Sequence, residues 1–299
     1  MIVPLSQASI LVVGLARDCE KQLCSSIESL SDALSASKSV KFLIIESDST
    51  DSTVSLLSRE TSRRSNFFYR SLGCLSHEFP LRTERIAFCR NYYLEIIRNS
   101  NDYKDIDYVV VADLDGVNAL IDSSSIASCW SRSDWDVCTA NQSGNYYDIW
   151  ALRHPLWSPN DCWSQSNYLI AAGANRFVSI FSSTLLRMIH IDSSHDWIEV
   201  ESAFGGLAIY RRSLLDSGAF YKGVNEFGDQ VCEHVSLHAQ IRSMGGRIFI
   251  NPMMMNTSPR EHVKYLSCIG LVRLWFKCHI KDLASSLVNC SFLKRSHAK

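Results

Sequence analysis

The stretch Tyr-Val-Val-Val-Ala-Asp-Leu-Asp-Gly at positions 108–116 decides the fold of this chain. Its apolar run is typical of a strand that is buried on both faces of a parallel sheet. Ligands of such sheets bind beyond the carboxyl ends of the strands, which is where Asp113 and Asp115 follow. Two carboxylates one residue apart could hold a hard divalent cation against a diphosphate. The alternative is a strand that ends in an acidic turn.

The composition is that of an ordinary soluble globular protein, with 46% hydrophobic and 20% charged residues among 299. The 30 basic and 31 acidic residues give no indication of a nucleic-acid partner. Eleven cysteines occur without Cys-x-x-Cys pairs, which favours reduced thiols over a zinc site or a disulfide framework. Residues 1–9 lack the features of a signal peptide, and no apolar run is long enough to span a membrane. A cytoplasmic protein is therefore expected.

Strand and helix patterns alternate through the first half of the chain. Apolar runs predict strands at 10–15, 41–45 and 66–70, and apolar residues three to four apart predict helices at 20–37 and 81–97. Either Asp51 or Ser52 could cap the helix that follows the second strand. This β-α-β-α-β order predicts an α/β domain with a mainly parallel sheet flanked by helices.

Charged side chains follow the predicted strands, at the edge where a ligand would bind. Arg17 comes after the first strand, while Glu46 and Asp48 follow the second and offer acceptors for a base and a ribose. The next predicted helix carries three arginines on its flank: Arg82, Arg85 and Arg90. These arginines could contact a diphosphate, or they could form a solvated basic face.

The second half of the chain is less regular. Residues 144–153 combine aromatic rings, among them Trp150, with the acid Asp148 and with Arg153, which suits sugar recognition, although aromatic rings also pack in cores. Gly205 and Gly206 permit a close approach of the backbone to a ligand, or a tight bend. Residues 157–187 could cover the site as a loop or lid.

A predicted helix that begins near residue 232 carries further candidates. Glu233 is a candidate general base, and His234 or His262 is a candidate metal ligand. Each histidine could equally be structural.

Taken in order, these elements resemble the GT-A superfamily of nucleotide-sugar glycosyltransferases over residues 9–262. The resemblance rests on the strand ends, the arginine-bearing helix, the Asp-x-Asp motif, the Phe-Gly-Gly turn at 204–206 and the acid at a later helix start. Residues 144–153 also resemble, more weakly, capsule-type mannosyltransferase-like proteins.

The resemblance implies a single globular domain with a Rossmann-like sheet. Its nucleotide-binding half would span residues 9–118 and its acceptor half residues 119–262. The implied metal is Mn²⁺ or Mg²⁺, with three candidate ligands: Asp113, Asp115 and His262. The implied contacts with the nucleotide sugar are made by Arg17, Glu46, Asp48, Arg82, Arg85, Arg90 and Asp113. The implied acceptor site contains Asp148, Trp150, Gly205 and Gly206.

Glu233 lies where inverting members of the superfamily carry the acid that activates the acceptor hydroxyl. The superfamily's usual pattern there ends in Glu-Asp, whereas this chain has Cys-Glu-His at 232–234. Because of this departure, both an inverting and a retaining reaction stay open.

The expected function is metal-dependent transfer of a sugar from a nucleoside diphosphate to a glycan or lipid-linked acceptor, in surface polysaccharide synthesis. One alternative is a sugar nucleotidyltransferase, but that class usually has a glycine-rich basic loop after its first strand, and residues 14–18 contain one glycine. The other is an inactive sugar-binding protein, in which Asp113, Asp115 and Glu233 would be an unexplained coincidence.

Residues 263–299 are predicted to form a basic amphipathic extension. Residues 260–299 contain eight lysines and arginines against two acids, with apolar residues between them. Such a segment could contact the inner face of an anionic membrane peripherally. The alternative is a C-terminal helix that packs on the sheet domain.

Overall fold

The computed structural model describes residues 2–296, with side chains described for residues 2–282. The strands are β1 (Ser9–Ala16), β2 (Ser39–Glu46), β3 (Phe67–Ser71), β4 (Tyr108–Ala112), β5 (Val137–Gln142), β6 (Ile198–Val200), β7 (Leu207–Arg211) and β8 (Ile248–Asn256). The helices are α1 (Leu23–Ala33), α2 (Thr53–Arg63), α3 (Arg82–Asn99), α4 (Ser123–Ser128), α5 (Cys162–Ala171), α6 (Arg176–Ser183), α7 (Arg212–Leu215), α8 (Glu233–Ser243), α9 (Arg260–Val263) and α10 (Cys268–Ser296).

The strands form one mixed sheet in the order β3-β2-β1-β4-β7-β5-β8-β6. The pairs β1–β2, β2–β3, β1–β4 and β5–β8 are parallel, so the mainly parallel α/β sheet predicted from the sequence is confirmed. The remaining pairs are antiparallel, because β7 and β6 run against their neighbours.

Strand β4 lies between β1 and β7 and is buried along its whole length. Val109 and Val111 contribute to one hydrophobic core, whereas Tyr108 and Val110 contribute to the core on the opposite face. Successive side chains of a strand point to opposite faces, so the apolar run of β4 fills both layers at once.

The topology brings distant residues to one edge of the sheet. Strands β1, β2, β4, β5 and β8 run in the same direction, so their carboxyl ends meet there. Strand β7 is reversed, and it is therefore its start, after Gly206, that lies beside the end of β4. The order also changes direction between β1 and β4, which is where open α/β sheets bind ligands.

Two predictions on local structure need correction. The first helix is shorter than 20–37, because residue 20 belongs to a loop: Glu20 accepts a hydrogen bond from the Ser52 amide at 3.0 Å. The region 157–187 contains α5 and α6 and packs against α10 instead of lining the cleft at the sheet edge. Within residues 2–296, no helix combines the length and apolar character needed to cross a membrane.

The C-terminal extension is helical and uses one of its faces for packing. Leu274 and Cys278 are buried in the core, and Asp282 pairs with Arg176 at 3.2 Å. Three of the basic residues counted in the extension lie outside the described side chains: Lys294, Arg295 and Lys299.

Candidate active site

A cavity of about 380 Å³ opens at the sheet edge where the parallel strands end. All but two of the site residues predicted from the sequence line it: Arg17, Asp48, Arg82, Arg85, Arg90, Asp113, Asp115, Asp148, Trp150, Gly206, Glu233 and His262. Residues at the ends of β1, β2 and β4, residues just before β7 and residues of the helices α3, α8 and α9 thus meet around one space. The two exceptions, Glu46 and Gly205, lie behind the cavity wall.

The Asp-x-Asp turn after β4 is held by contacts to β7 and to its own following residues. The Asp113 amide donates to the Gly206 carbonyl at 2.9 Å. The Asn118 side chain donates to the Asp113 carbonyl at 2.7 Å, and the left-handed φ of 91° at Gly116 lets the chain turn back. These contacts fix the backbone, so the carboxylates of Asp113 and Asp115 are free to face the cavity. Asn118 was not predicted, and no sequence pattern marks it.

Arg90 is the buried cation of the site. Its Nε donates to Glu233 Oε1 at 2.9 Å, and its Nη2 lies 3.7 Å from Asp113 Oδ1. The guanidinium also lies over the rings of Phe204 and Tyr221, at 5.3 and 5.6 Å from their centroids. Burial alone would lower the pKa of Arg90, but the neighbouring groups outweigh that effect and raise it well above its usual value. Arg90 is therefore a fixed link between the two candidate carboxylates.

Negative charge accumulates around Asp113. Burial raises the pKa of this carboxyl group to about 7; Arg90 opposes the change, and the carboxylates of Asp115, Asp148 and Glu233 add to it. Four acids therefore face one buried arginine. Such an arrangement is costly unless a further cation shares the space.

The other end of the cavity contains Asp48, whose φ of 59° is unusual for a residue with a side chain. Asp48 Oδ1 accepts a hydrogen bond from the Ser76 amide at 2.9 Å, and Oδ2 lies 3.9 Å from Arg85. Burial raises its pKa, but the hydrogen bonds from Ser76 outweigh that effect and lower it. Asp48 Oδ2 is buried and has no hydrogen-bond partner among the described residues. A bound N–H donor would satisfy it.

Glu46 and Gly205 have structural partners in this protein. The Glu46 carboxylate accepts hydrogen bonds from the Ser49 amide at 3.0 Å and from the Ser71 hydroxyl, so it holds the loop that carries Asp48. A Cβ at Gly205 would lie 2.6 Å from the Ala140 carbonyl oxygen, which leaves no room for another residue. Their predicted contacts with ligands stay predictions.

Another part of the cavity wall is formed by Tyr147, Asp148, Trp150 and His262. Asp148 accepts a hydrogen bond from the Gly205 amide at 2.9 Å, and Trp150 Nε1 is buried without a partner among the described residues. The rings of Tyr147 and His262 stack with their centroids 4.6 Å apart. Tyr147 belongs to the aromatic stretch 144–153, but the sequence does not single it out as a site residue.

His234, which the sequence offers as an alternative to His262 for a metal ligand, lines the same cavity. Its ring stacks on Phe204 at 3.9 Å, and neither ring nitrogen has a hydrogen-bond partner among the described residues. Burial and the nearby Arg90 lower the pKa of His234 well below its usual value, so the ring is neutral. A neutral imidazole at this point could both donate to and accept from a sugar hydroxyl.

No protein-family model and no curated protein sequence matches this chain. Among solved structures, the mannosyltransferase PcManGT from Pyrobaculum calidifontis, in complex with GDP-Man and Mn²⁺, is similar over 88% of this chain and 62% of its own, with a TM-score of 0.50 and 12% identity. TarS residues 1–349 from S. aureus, in complex with UDP-GlcNAc, is similar over 86% of this chain and 60% of its own, with a TM-score of 0.48 and 12% identity. The chain thus spans about three fifths of the length of these two structures. Together with the sheet order, the similarity to PcManGT confirms that the chain has the GT-A glycosyltransferase fold.

Proposed function

We propose that this protein is a metal-dependent glycosyltransferase, which moves a sugar from a nucleoside diphosphate to the hydroxyl of a glycan or lipid-linked acceptor in surface polysaccharide synthesis. The observation that carries the proposal is the convergence of three kinds of group on one cavity. Arg85 lies beside Asp48, while Arg90 lies beside both Asp113 and Glu233, and all five line the same cavity with Asp115. These groups suit a nucleotide, a diphosphate with a cation, and a reacting sugar.

The residues of the cavity fit a divalent cation. Asp113 and Asp115 supply hard oxygen donors, and the surrounding acids leave an excess of negative charge. The described residues contain no group of three or more side chains that would hold a metal alone. This donor set suits Mg²⁺ or Mn²⁺, which commonly combine one or two carboxylates with substrate phosphates, and His262 is the third candidate ligand. When bound, the cation would neutralise charge that develops on the leaving diphosphate.

The donor would be held by the nucleotide end of the cavity. The unpartnered Asp48 Oδ2 can accept a hydrogen bond from the base. Arg17, Arg82 and Arg85 line the same cavity as Asp48 and Asp113 and can bind phosphate oxygens. These contacts would orient the sugar toward Glu233.

Glu233 is the candidate base for the chemical step. One of its oxygens is held by Arg90, while Oε2 accepts no hydrogen bond from the described residues. In the proposed reaction, the acceptor oxygen bonds to the anomeric carbon as the bond from that carbon to the diphosphate breaks. The electron pair leaves with the diphosphate, and the acceptor proton passes to Glu233 Oε2. Arg90 would keep the carboxylate in place throughout.

A peripheral membrane contact and a cytoplasmic location belong to the same proposal. Helix α10 carries an exposed apolar stripe of Ile269, Val272, Phe276 and Ile280, each 54–68% exposed. Their spacing places them on one face, away from the buried Leu274 and Cys278. This stripe supports contact with a lipid surface at which a lipid-linked acceptor would be found.

A donor screen tests the proposal. UDP-, GDP- and CMP-sugars are added with and without Mn²⁺, and both the melting temperature and the release of nucleotide are measured. We expect one nucleotide class to raise the melting temperature only with metal, because a ligand that binds the native state stabilises it, and to be released when an acceptor is present. A nucleotidyltransferase would instead form pyrophosphate from a nucleoside triphosphate and a sugar phosphate. An inactive binding protein would show the thermal shift without release.

A further inference from the structure

A second cavity, of about 610 Å³, lies beside the first one. Its walls come from α5, α6, the turn at Leu185–Arg187 and helices α9 and α10. The two cavities share Tyr147, Asp148, Trp150 and His262, so these four residues border both spaces.

Cationic side chains dominate the rim of this second cavity. They are Arg176, Lys264, Lys277 and Lys281. Arg176 pairs with Asp282. Lys264 and Lys277, in contrast, have no carboxylate within 4.0 Å among the described residues, and both are exposed. Glu261 is the only acid that lines the described part of the cavity apart from Asp148 in the shared wall. The surplus of positive charge indicates an anionic ligand.

The floor of the same cavity is apolar. Ile180, Leu185, Met188 and Leu274 line it, together with the rings of Trp150 and Trp163. A wide apolar cavity with a few charged groups at its rim is typical of a site that binds an amphipathic small molecule. A simple anion such as phosphate would leave this apolar surface in water, whereas a neutral chain would leave the lysines unused.

The geometry points to a lipid phosphate as the acceptor carrier: the second cavity binds the phosphate at Lys264 and Lys277 and the first part of the lipid chain against the apolar floor. A sugar linked to that phosphate then extends past Tyr147 and His262, and its hydroxyl approaches Glu233. This inference rests on the proposed function and narrows its acceptor to a lipid-linked, phosphate-bearing sugar.

Binding of a small lipid phosphate to the full-length protein tests the inference. Geranyl phosphate, geraniol and inorganic phosphate are titrated separately by calorimetry, below the concentration at which geranyl phosphate forms micelles. We expect geranyl phosphate to bind at one site, at least about tenfold more tightly than either partial probe. Added salt should weaken binding, because the phosphate contact is electrostatic. Equal binding of geraniol, or no binding of geranyl phosphate, would overturn the inference.

A pair of double variants tests where the probe binds. Lys264→Met with Lys277→Met should weaken geranyl phosphate binding at least about tenfold. The matched control, Arg273→Met with Lys21→Met, removes the same charge from exposed positions outside the cavity and should bind like the wild type. An equal loss in both proteins would mean that long-range charge alone attracts the probe, and the site would be refuted.

UDP and GDP with Mn²⁺, titrated into the same wild-type protein, separate this inference from the proposed function. Nucleotide binding without geranyl phosphate binding removes the lipid-phosphate acceptor and leaves the transferase proposal standing. Geranyl phosphate binding without binding of either nucleotide keeps the second site and removes the transferase proposal on which its role rests.

Discussion

The two neighbouring cavities share a wall but differ in the sign of their charge. In the smaller one, carboxylates outnumber the buried cations, and Arg90 and Arg85 are already placed beside Glu233 and Asp48. In the larger one, Lys264 and Lys277, which have no carboxylate within 4.0 Å among the described residues, lie at the rim of an apolar floor. The smaller cavity thus suits a cation with a diphosphate, and the larger one suits an anion with a chain. The stacked rings of Tyr147 and His262 lie where the two meet.

This difference in charge indicates that the two adjacent cavities have different functions. The smaller cavity includes residues at strand ends, which the sheet holds in place, whereas the larger cavity is formed mainly by α5, α6, α9 and α10. Rigid strand ends suit groups that must be aligned for chemistry. A cavity between helices suits a ligand that has to enter and leave.

The largest expected effect comes from substitution of Glu233, the candidate base in the smaller cavity. Glu233→Gln keeps the shape of the side chain and can still accept a hydrogen bond from Arg90, but it cannot take up the acceptor proton. We expect the rate of transfer to fall about 10²–10⁴-fold, the usual value of general-base catalysis. The rate is measured as release of nucleoside diphosphate in the presence of acceptor.

The control for this variant is Glu226→Gln, which changes an exposed acid outside both cavities. Binding of the nucleotide should be the same in both variants, because the proposed role of Glu233 is to act on the acceptor. Removing one charge of a buried ion pair destabilises the fold, so the assay is run below the melting temperature of the variant. A transfer rate near that of the wild type would show that Glu233 is structural.

The second prediction concerns the acidic side of the comparison. Asp115→Asn keeps the size of the side chain and removes one carboxylate from the candidate metal site. With Mn²⁺ present, we expect the affinity for the nucleotide to fall about tenfold to a hundredfold. Mutation of a residue that only hydrogen-bonds to a metal ligand already lowers metal affinity by that factor. Calorimetry with the nucleotide that the donor screen identifies measures the change.

Without metal, the Asp115→Asn variant and the wild type should bind the nucleotide equally. Asp105→Asn provides the control, because Asp105 is exposed and lies outside both cavities. If Mn²⁺ strengthens binding to the same extent in Asp115→Asn as in the wild type, Asp115 is not a principal ligand.

The sequence predicts the strand-end residues of the smaller cavity better than the contacts between distant segments, for a physical reason. Apolar runs mark β1, β2 and β4, and in a parallel sheet the residues that follow such runs meet at one edge. Arg17, Asp48 and Asp113 could therefore be placed together without knowledge of any contact. These positions depend on local pattern and on one topological rule.

Contacts between distant segments could not be predicted in this way. Arg90 and Glu233 are 143 residues apart and form the central ion pair of the site. Gly206 reaches Asp113 because β7 runs antiparallel to β4, and no local pattern indicates that reversal. The second cavity likewise depends on how α6 and α10 pack, which the amphipathic pattern of each helix does not determine.

The third prediction concerns His238, a second histidine of helix α8. His238 is buried, and its ring nitrogens lie 2.9 Å from the Ser202 hydroxyl and 2.7 Å from the Tyr210 hydroxyl. Burial lowers the pKa of His238 from 6.5 to about 3. Below pH 6.5, His238 therefore takes up a proton in the unfolded chain but not in the folded protein. The contribution of the neutral His238 to folding stability is present above this pH and is lost as the pH falls toward 3.

His238→Gln removes this titration while keeping a donor and an acceptor at the position. Relative to the variant, the wild type should lose about 1.4 kcal/mol of unfolding free energy per pH unit below 6.5, or about 2 kcal/mol at pH 5. Urea unfolding of the wild type and of the variant at pH 7.5, 6 and 5 measures the difference between their unfolding free energies. The contributions of all other titrating groups are common to both proteins and cancel in this difference. A difference that stays constant with pH would contradict the neutral state of His238.

The smallest expected effect concerns the exposed apolar stripe of α10, on the outer side of the second cavity. Phe276→Ser with Ile280→Ser removes two apolar side chains that are 56% and 65% exposed, so the fold should not depend on them. Burial of such side chains in the membrane interface, next to Arg273, Lys277 and Lys281, should favour anionic lipid. We expect the wild type to float with anionic liposomes several times more than with neutral ones, and the variant to lose this difference. Leu156→Ser, at a residue that is 92% exposed elsewhere, is the control and should float like the wild type. Equal recovery of the wild type with both lipids, or none at all, would remove the membrane contact and leave α10 as a packing helix that completes the second cavity.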